Sequence, residues 1–130
     1  DVDTGAFEII SRKSDGSLPT SAYWSQGASF YGPMASADGR YVVYHSDYTD
    51  LHGVANSGTQ VSRKDTTTGA VELVSATSGG NASDGTDNYV LDLSADGRWV
   101  LFVSNGANLG AAGNSQIFLK DMQTGVVDLV

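Results

Sequence analysis

The chain has no cysteine among its 130 residues, which removes disulfides, zinc–thiolate sites and thiol nucleophiles together. Proline occurs twice, and glutamate only at Glu8 and Glu72, so strong helix formers are scarce. Basic residues are few: 7 Lys and Arg face 15 Asp and Glu, for a formal net charge of −8. Such a chain repels phosphate backbones, and nucleic acid is excluded as a natural partner. No apolar run approaches the ~20 residues that span a bilayer, so no membrane span is expected. The opening Asp1-Val2-Asp3-Thr4-Gly5 lacks the basic start and apolar centre of a signal peptide. The chain is therefore expected to be mature, excised from something longer, or cytosolic. Glycine is abundant, 16 of 130 residues against a usual ~7 %, and points to a β protein with many turns.

Two signatures recur in the same order. Ser36-Ala37-Asp38-Gly39-Arg40-Tyr41-Val42-Val43-Tyr44 returns 58 residues later as Ser94-Ala95-Asp96-Gly97-Arg98-Trp99-Val100-Leu101-Phe102. The stretch beginning Asp65 and running through Thr68-Gly69 to Val74 returns 56 residues on, from Asp121 through Thr124-Gly125 to Val130. It also stands 64 residues earlier, from Asp1 through Thr4-Gly5 to Ile10. A period of this length means one supersecondary unit per repeat.

Each unit reads as four strands. They are 30–35, 40–46, 60–64 and 70–75 in the first unit, and 89–93, 98–104, 116–120 and 126–130 in the second. Asp-Gly joins strands one and two, and Thr-Gly joins three and four, because glycine accepts the positive φ of a tight hairpin turn. Strand two is apolar at consecutive positions, which predicts cover on both faces and makes Trp99 an expected core residue. Strand four alternates and is peripheral, while Pro33 marks strand one as an edge. Four-stranded antiparallel sheets stacked in this way are the blades of a β-propeller. The expected class is thus all-β, an incomplete ring segment. Residues 1–11 form the outer strand of a preceding blade, 12–28 an inter-blade loop, 29–75 blade one and 76–130 blade two. Two blades do not close a ring, so further blades or self-association are expected to cover the apolar faces left at the ends.

On SADGRYVVY and SADGRWVLF, on Asn108-Leu109, and on Gln116–Asp121 running into Gln123-Thr124-Gly125, the chain resembles the WD40-like propeller repeats of the TolB type. The resemblance covers roughly 28–130 plus the leading 1–11, and it implies an extracytoplasmic location, periplasmic or secreted, in a bacterial-type setting. The first unit departs from the pattern where Ser62 and Arg63 stand in place of Phe118 and Leu119. Its third strand is expected to be less buried there, or Arg63 to face a partner.

Function is expected on the long loops at one rim, 47–59 and 105–115 within the units and 12–28 and 76–86 between them. The ligand-binding candidates are Tyr23 and Trp24, an aromatic pair in the longer link, with Tyr48, Asp50 and His52 in the loop after strand two. Asp84 and Asp87 offer oxygen ligands, but their spacing fits no calcium loop, and no metal is assigned. His45 reads as a partly buried strand residue. Ser36, Ser94, Asp38, Asp96, Asp65 and Asp121 read as turn residues whose oxygens bind nearby amides. No nucleophile motif, phosphate loop or cofactor signature is present. The expected function is therefore a non-catalytic scaffold segment binding a protein or glycan partner, without cofactor. The alternatives are the propeller portion of a secreted hydrolase with its catalytic residues elsewhere, and a structural subunit that closes a ring or filament.

Overall fold

The structure, a computed structural model, describes residues 5–20, 32–54, 58–111 and 114–130. Each Asp-Gly turn is tied by its own side chains. Ser36 Oγ donates to Asp38 Oδ1 (2.6 Å) and accepts from the Tyr41 amide (2.9 Å), while Asp38 Oδ1 also accepts from the Arg40 amide (3.0 Å). Ser94, Asp96, Arg98 and Trp99 repeat the set at 2.6, 2.9 and 3.1 Å. Gly39 and Gly97 take φ of 71° and 73°, the left-handed conformation that these turns require. Asp65 Oδ1 likewise accepts from the Thr67 amide and Asp121 Oδ1 from the Gln123 amide, both at 2.9 Å, so the oxygens of all six turn residues bind nearby groups of the turns, as their positions in the sequence imply.

The turns launch eight strands: β1 (Met34–Ala35), β2 (Tyr41–Ser46), β3 (Gln60–Asp65), β4 (Val71–Leu73), β5 (Asn88–Leu93), β6 (Trp99–Ser104), β7 (Gln116–Asp121) and β8 (Val127–Leu129). They form two four-stranded antiparallel sheets, β1-β2-β3-β4 and β5-β6-β7-β8, and the described residues contain no α-helix. β2 pairs with β3 from Tyr41↔Asp65 to Ser46↔Gln60, and β6 with β7 from Trp99↔Asp121 to Ser104↔Gln116. The two registers are equivalent. Residues 5–11, expected as an outer strand, form no strand. The link that follows them nonetheless has a partner geometry in the second sheet. Ser14 Oγ accepts from the Val71 amide (2.9 Å), as Ser78 Oγ does from Val127 (3.0 Å).

The sheets stack face to face, with β2 and β3 against β5. Val43, Val61 and Val74 from the first meet Val90, Val100, Phe102 and Phe118 from the second in one core. Phe102 and Phe118 stack with ring centroids 5.6 Å apart.

Two expectations are corrected. β3 is buried along its whole length, because its other face lies beneath the segment around Arg12 and the loop around His52. Trp99 is not core: it lies on the face of the second sheet turned away from the first, 37 % exposed, with the Arg98 guanidinium 5.0 Å from its ring centre. Strand two is covered on both faces in the first sheet, where Val43 and Tyr44 are both buried, and on one face in the second.

Phe102→Ala is accordingly expected to cost about 3–5 kcal/mol in urea unfolding. Trp99→Ala should cost about 1 kcal/mol or less, since it removes only a half-wet ring and one cation–π contact. The reverse order would mean that the second sheet packs through its other face.

Candidate functional site

The end carrying the long loops holds three of the expected binding residues; Tyr23 and Trp24 lie outside the described residues. Tyr48 is half-buried, and its amide donates to Ser46 Oγ (3.2 Å) at the end of β2. Asp50 Oδ2 pairs with Lys13 Nζ (2.7 Å) and accepts from Thr20 through its amide (3.0 Å) and hydroxyl (3.1 Å). His52 turns the other way, and its Nε2 lies 2.7 Å from Ser62 Oγ on β3. The three share one loop, yet Asp50 and His52 bind different partners.

A serine hydroxyl in hydrogen-bond reach of an imidazole has the spacing of a nucleophile and its base. The surroundings deny that chemistry. Ser62 is fully buried, and His52 Nδ1 is buried with no partner among the described residues, so no acid orients the ring. Burial also pushes the imidazole down to about 4, leaving it neutral near pH 7. Burial similarly raises the neighbouring Tyr44 phenol to about 12. The cluster is a polar packing element.

At the rim of the second sheet, Asp84 and Asn108 exchange two bonds. The Asn108 amide donates to Asp84 Oδ1 (3.1 Å), and the Asp84 amide donates to Asn108 Oδ1 (3.2 Å). Asp87 and Asn105 exchange another two, both at 3.2 Å. These reciprocal pairs clamp the inter-sheet link onto the loop between β6 and β7. Among the described residues, no group of three or more His, Asp or Glu is placed to share a metal ion.

A concavity of about 350 Å³ lies at the opposite end, between the short turns of the two sheets. Tyr41, Arg63, Asp96, Arg98, Met122 and Gln123 line it. Its charges are already matched. Arg98 holds both carboxylate oxygens of Asp121 (2.9 and 2.7 Å), and Arg63 holds Glu72 and donates to the Gly97 carbonyl. Tyr41 lies beneath Arg63, 4.3 Å from its ring centre. Arg63 therefore faces the second sheet rather than an outside partner. The arginine after each Asp-Gly was the available signal for the ion pairs, since Arg40 holds Asp65 as Arg98 holds Asp121. Lys120 was missed as well. It is buried and pushed down to about 8, with Nζ donating to the carbonyls of Leu73 (3.3 Å) and Ala76 (3.4 Å). Closed off from solvent, that amine joins sheets rather than attacking substrates.

Below pH 7, His52 and the ion-paired aspartates set a pH dependence with two windows. His52 is held below its unfolded value of 6.5, so the unfolded chain binds more protons between about pH 6.5 and 4, and stability falls as pH drops through that window. Burial lowers His45 in the same direction. The Arg40 bond holds Asp65 at about 2, below its ordinary 3.8, so stability present above pH 4 is lost as pH falls towards 2. Arg98 holds Asp121 low in the same way. In urea titrations, His52→Gln should flatten the upper window in part, and Asp65→Asn with Asp121→Asn the lower. Unchanged profiles would contradict the assignments. Neither the protein-family models, nor the curated proteins, nor the solved structures contain a match to this chain.

Proposed function

We propose that the chain is a two-blade segment of a β-propeller scaffold outside the cytoplasm, and that it acts by binding a protein or glycan through the long-loop rim. The observation that carries this reading is the double Asp–Asn clamp. Asp84, Asp87 and Asn108 are exposed, yet their backbone positions are set by four reciprocal bonds between two loops. A rim fixed before contact loses little conformational entropy on binding. Its exposed carboxylates and amides suit hydroxyl-rich or polar partners. The buried Ser62–His52 contact and the committed Asp50 argue against catalysis by these groups. The resemblance of both Asp-Gly-Arg segments to TolB-type repeats points the same way, and fold likeness by itself assigns no chemistry.

An array of bacterial surface glycans, followed by NMR titration of the strongest hits, tests the rim. Amide shifts are expected to cluster in 83–88 and 105–110. Asp84→Ala with Asp87→Ala should weaken binding at least tenfold at a stability cost of about 1 kcal/mol per lost clamp. Shifts confined to the Asp-Gly and Thr-Gly turns would move the binding surface to the other end.

A further inference from the structure

The two outer faces of the stack differ in kind. Outside the first sheet, β2 and β3 present Tyr44, Ser62 and Lys64, and the chain itself covers them. Lys64 Nζ donates to the carbonyls of Gly69 (2.8 Å) and Arg12 (3.5 Å), Ser62 meets His52, and Leu51 of the same loop is 3 % exposed. Outside the second sheet, β6 and β7 present Trp99, Leu101, Val103, Ile117 and Leu119. Trp99 and Ile117 are 37 % and 41 % exposed. A concavity of about 230 Å³ opens there among Asp92, Leu93, Ser94, Trp99, Leu101 and Leu119.

Position by position, this bare face matches the face of the first sheet that the second sheet covers. Tyr41 corresponds to Trp99, Val43 to Leu101 and Val61 to Ile117 in the equivalent registers. Val43 and Val61 are wholly buried, whereas among the described residues their apolar counterparts are half-buried at Leu101 and exposed at Ile117. An apolar patch of this kind marks an interaction surface. We infer that the outer face of the second sheet docks a further four-stranded antiparallel sheet, one offering a valine–phenylalanine face and a third-strand lysine. That is what the second sheet offers the first, through Val100, Phe102, Phe118 and Lys120. The lysine would reach the Leu129 carbonyl, the counterpart of the Leu73 carbonyl that accepts from Lys120.

A second copy of the chain fits poorly in either orientation. Its own bare face would bring Asp92 and Asp128 against the same acids, on chains of net charge −8. Its first sheet is already covered by its own loops. The inference rests on the blade reading above, but its test does not involve the rim.

The chain's freedom from cysteine makes a single thiol a clean reporter. The Val130 amide donates to the Ile117 carbonyl (2.9 Å) as Val74 does to Val61 (2.8 Å), so residues 75–130 appended after Val130 enter in the native register. Ile117→Cys should react with a thiol reagent at least tenfold more slowly in the extended chain than in the 130-residue chain. Thr67→Cys, in the exposed turn before β4, should react equally fast in both. Equal Ile117→Cys rates overturn the inference. So does an appended segment that adds no β-sheet signal in circular dichroism, since the face would then have failed to support it. Labelling of the unextended chain that slows as its own concentration rises from micromolar to millimolar also overturns it, in favour of a second copy. Any of these results leaves glycan binding at the rim untouched, and a failed rim titration leaves the thiol rates untouched.

Discussion

The stacking of one sheet's apolar face on the other's is the contact from which the remaining features take their places. A four-stranded sheet by itself leaves one set of alternating side chains in water, and only a second layer removes them. Here Val43 and Val61 supply one side and Val90, Val100, Phe102 and Phe118 the other. Because the side-chain period is two, a slip of one residue in β2 would turn Val43 away from the second sheet and set Val42 against it instead. The Ser–Asp–Gly–Arg turns prevent that slip by fixing the residue at which each strand two begins. The Arg40–Asp65 and Arg98–Asp121 pairs then bind that starting residue to the end of strand three. Register and core are thus one constraint seen at two places.

Buried polar groups carry the mating of the sheets beyond the core. Asn88 Nδ2 donates to the carbonyls of Thr59 (2.8 Å) and Gly85 (3.0 Å), Gln60 Nε2 to that of Ser83 (3.2 Å), and the Thr59 amide to Thr86 (2.9 Å). The backbones approach so closely that a Cβ on Gly58 would meet Thr86 Cα at 2.5 Å, and Gly58 also has a φ of 68°. Only glycine meets both conditions. The Asn88–Thr59 and Gln60–Ser83 bonds each join one sheet to the loop that enters the other, and the Thr59–Thr86 bond joins the two loops. That coupling is what holds the rim loops in one conformation.

How much of this was legible in the sequence depended on whether the determinant was local. Seven of the eight strands found among the described residues stand where Asp-Gly and Thr-Gly punctuation placed them, with boundaries shifted by a residue or two; of the expected 30–35 only Met34–Ala35 is strand, 32–33 is not, and 30–31 lie outside the described residues. Tight turns are decided by their own four residues, so they can be read directly. Burial is decided by neighbours distant in the chain. Tyr41-Val42-Val43-Tyr44 and Trp99-Val100-Leu101-Phe102 look alike, yet the first is covered on both faces and the second on one. Ser62-Arg63 read as a weakening of strand three because nothing local announced Glu72, Gly97 and Tyr41 around the guanidinium. His52 and Asp50 invited a shared role as near neighbours, whereas the single residue between them, Leu51, suffices to send one to Ser62 and the other to Lys13.

The same comparison gives the stack a direction. Where the second sheet has Phe102 and Phe118 facing its neighbour, the first has Tyr44 and Ser62, with the neutral His52 ring set against Ser62. Where the loop after strand two carries Gly110 in the second unit, it carries His52 in the first. On the face that the chain covers with its own loops, Ser62 stands for Phe118 and the hydroxyl-bearing Tyr44 for Phe102, whereas the outer face of the second sheet is apolar at Trp99, Leu101, Ile117 and Leu119. In stacked-repeat proteins a polar outer face distinguishes a terminal unit from an internal one. The outer face of the first sheet is the more polar of the two, although the sheets share a topology and a register. A sequence repeat therefore conceals a chemical asymmetry between the outer faces of its two sheets.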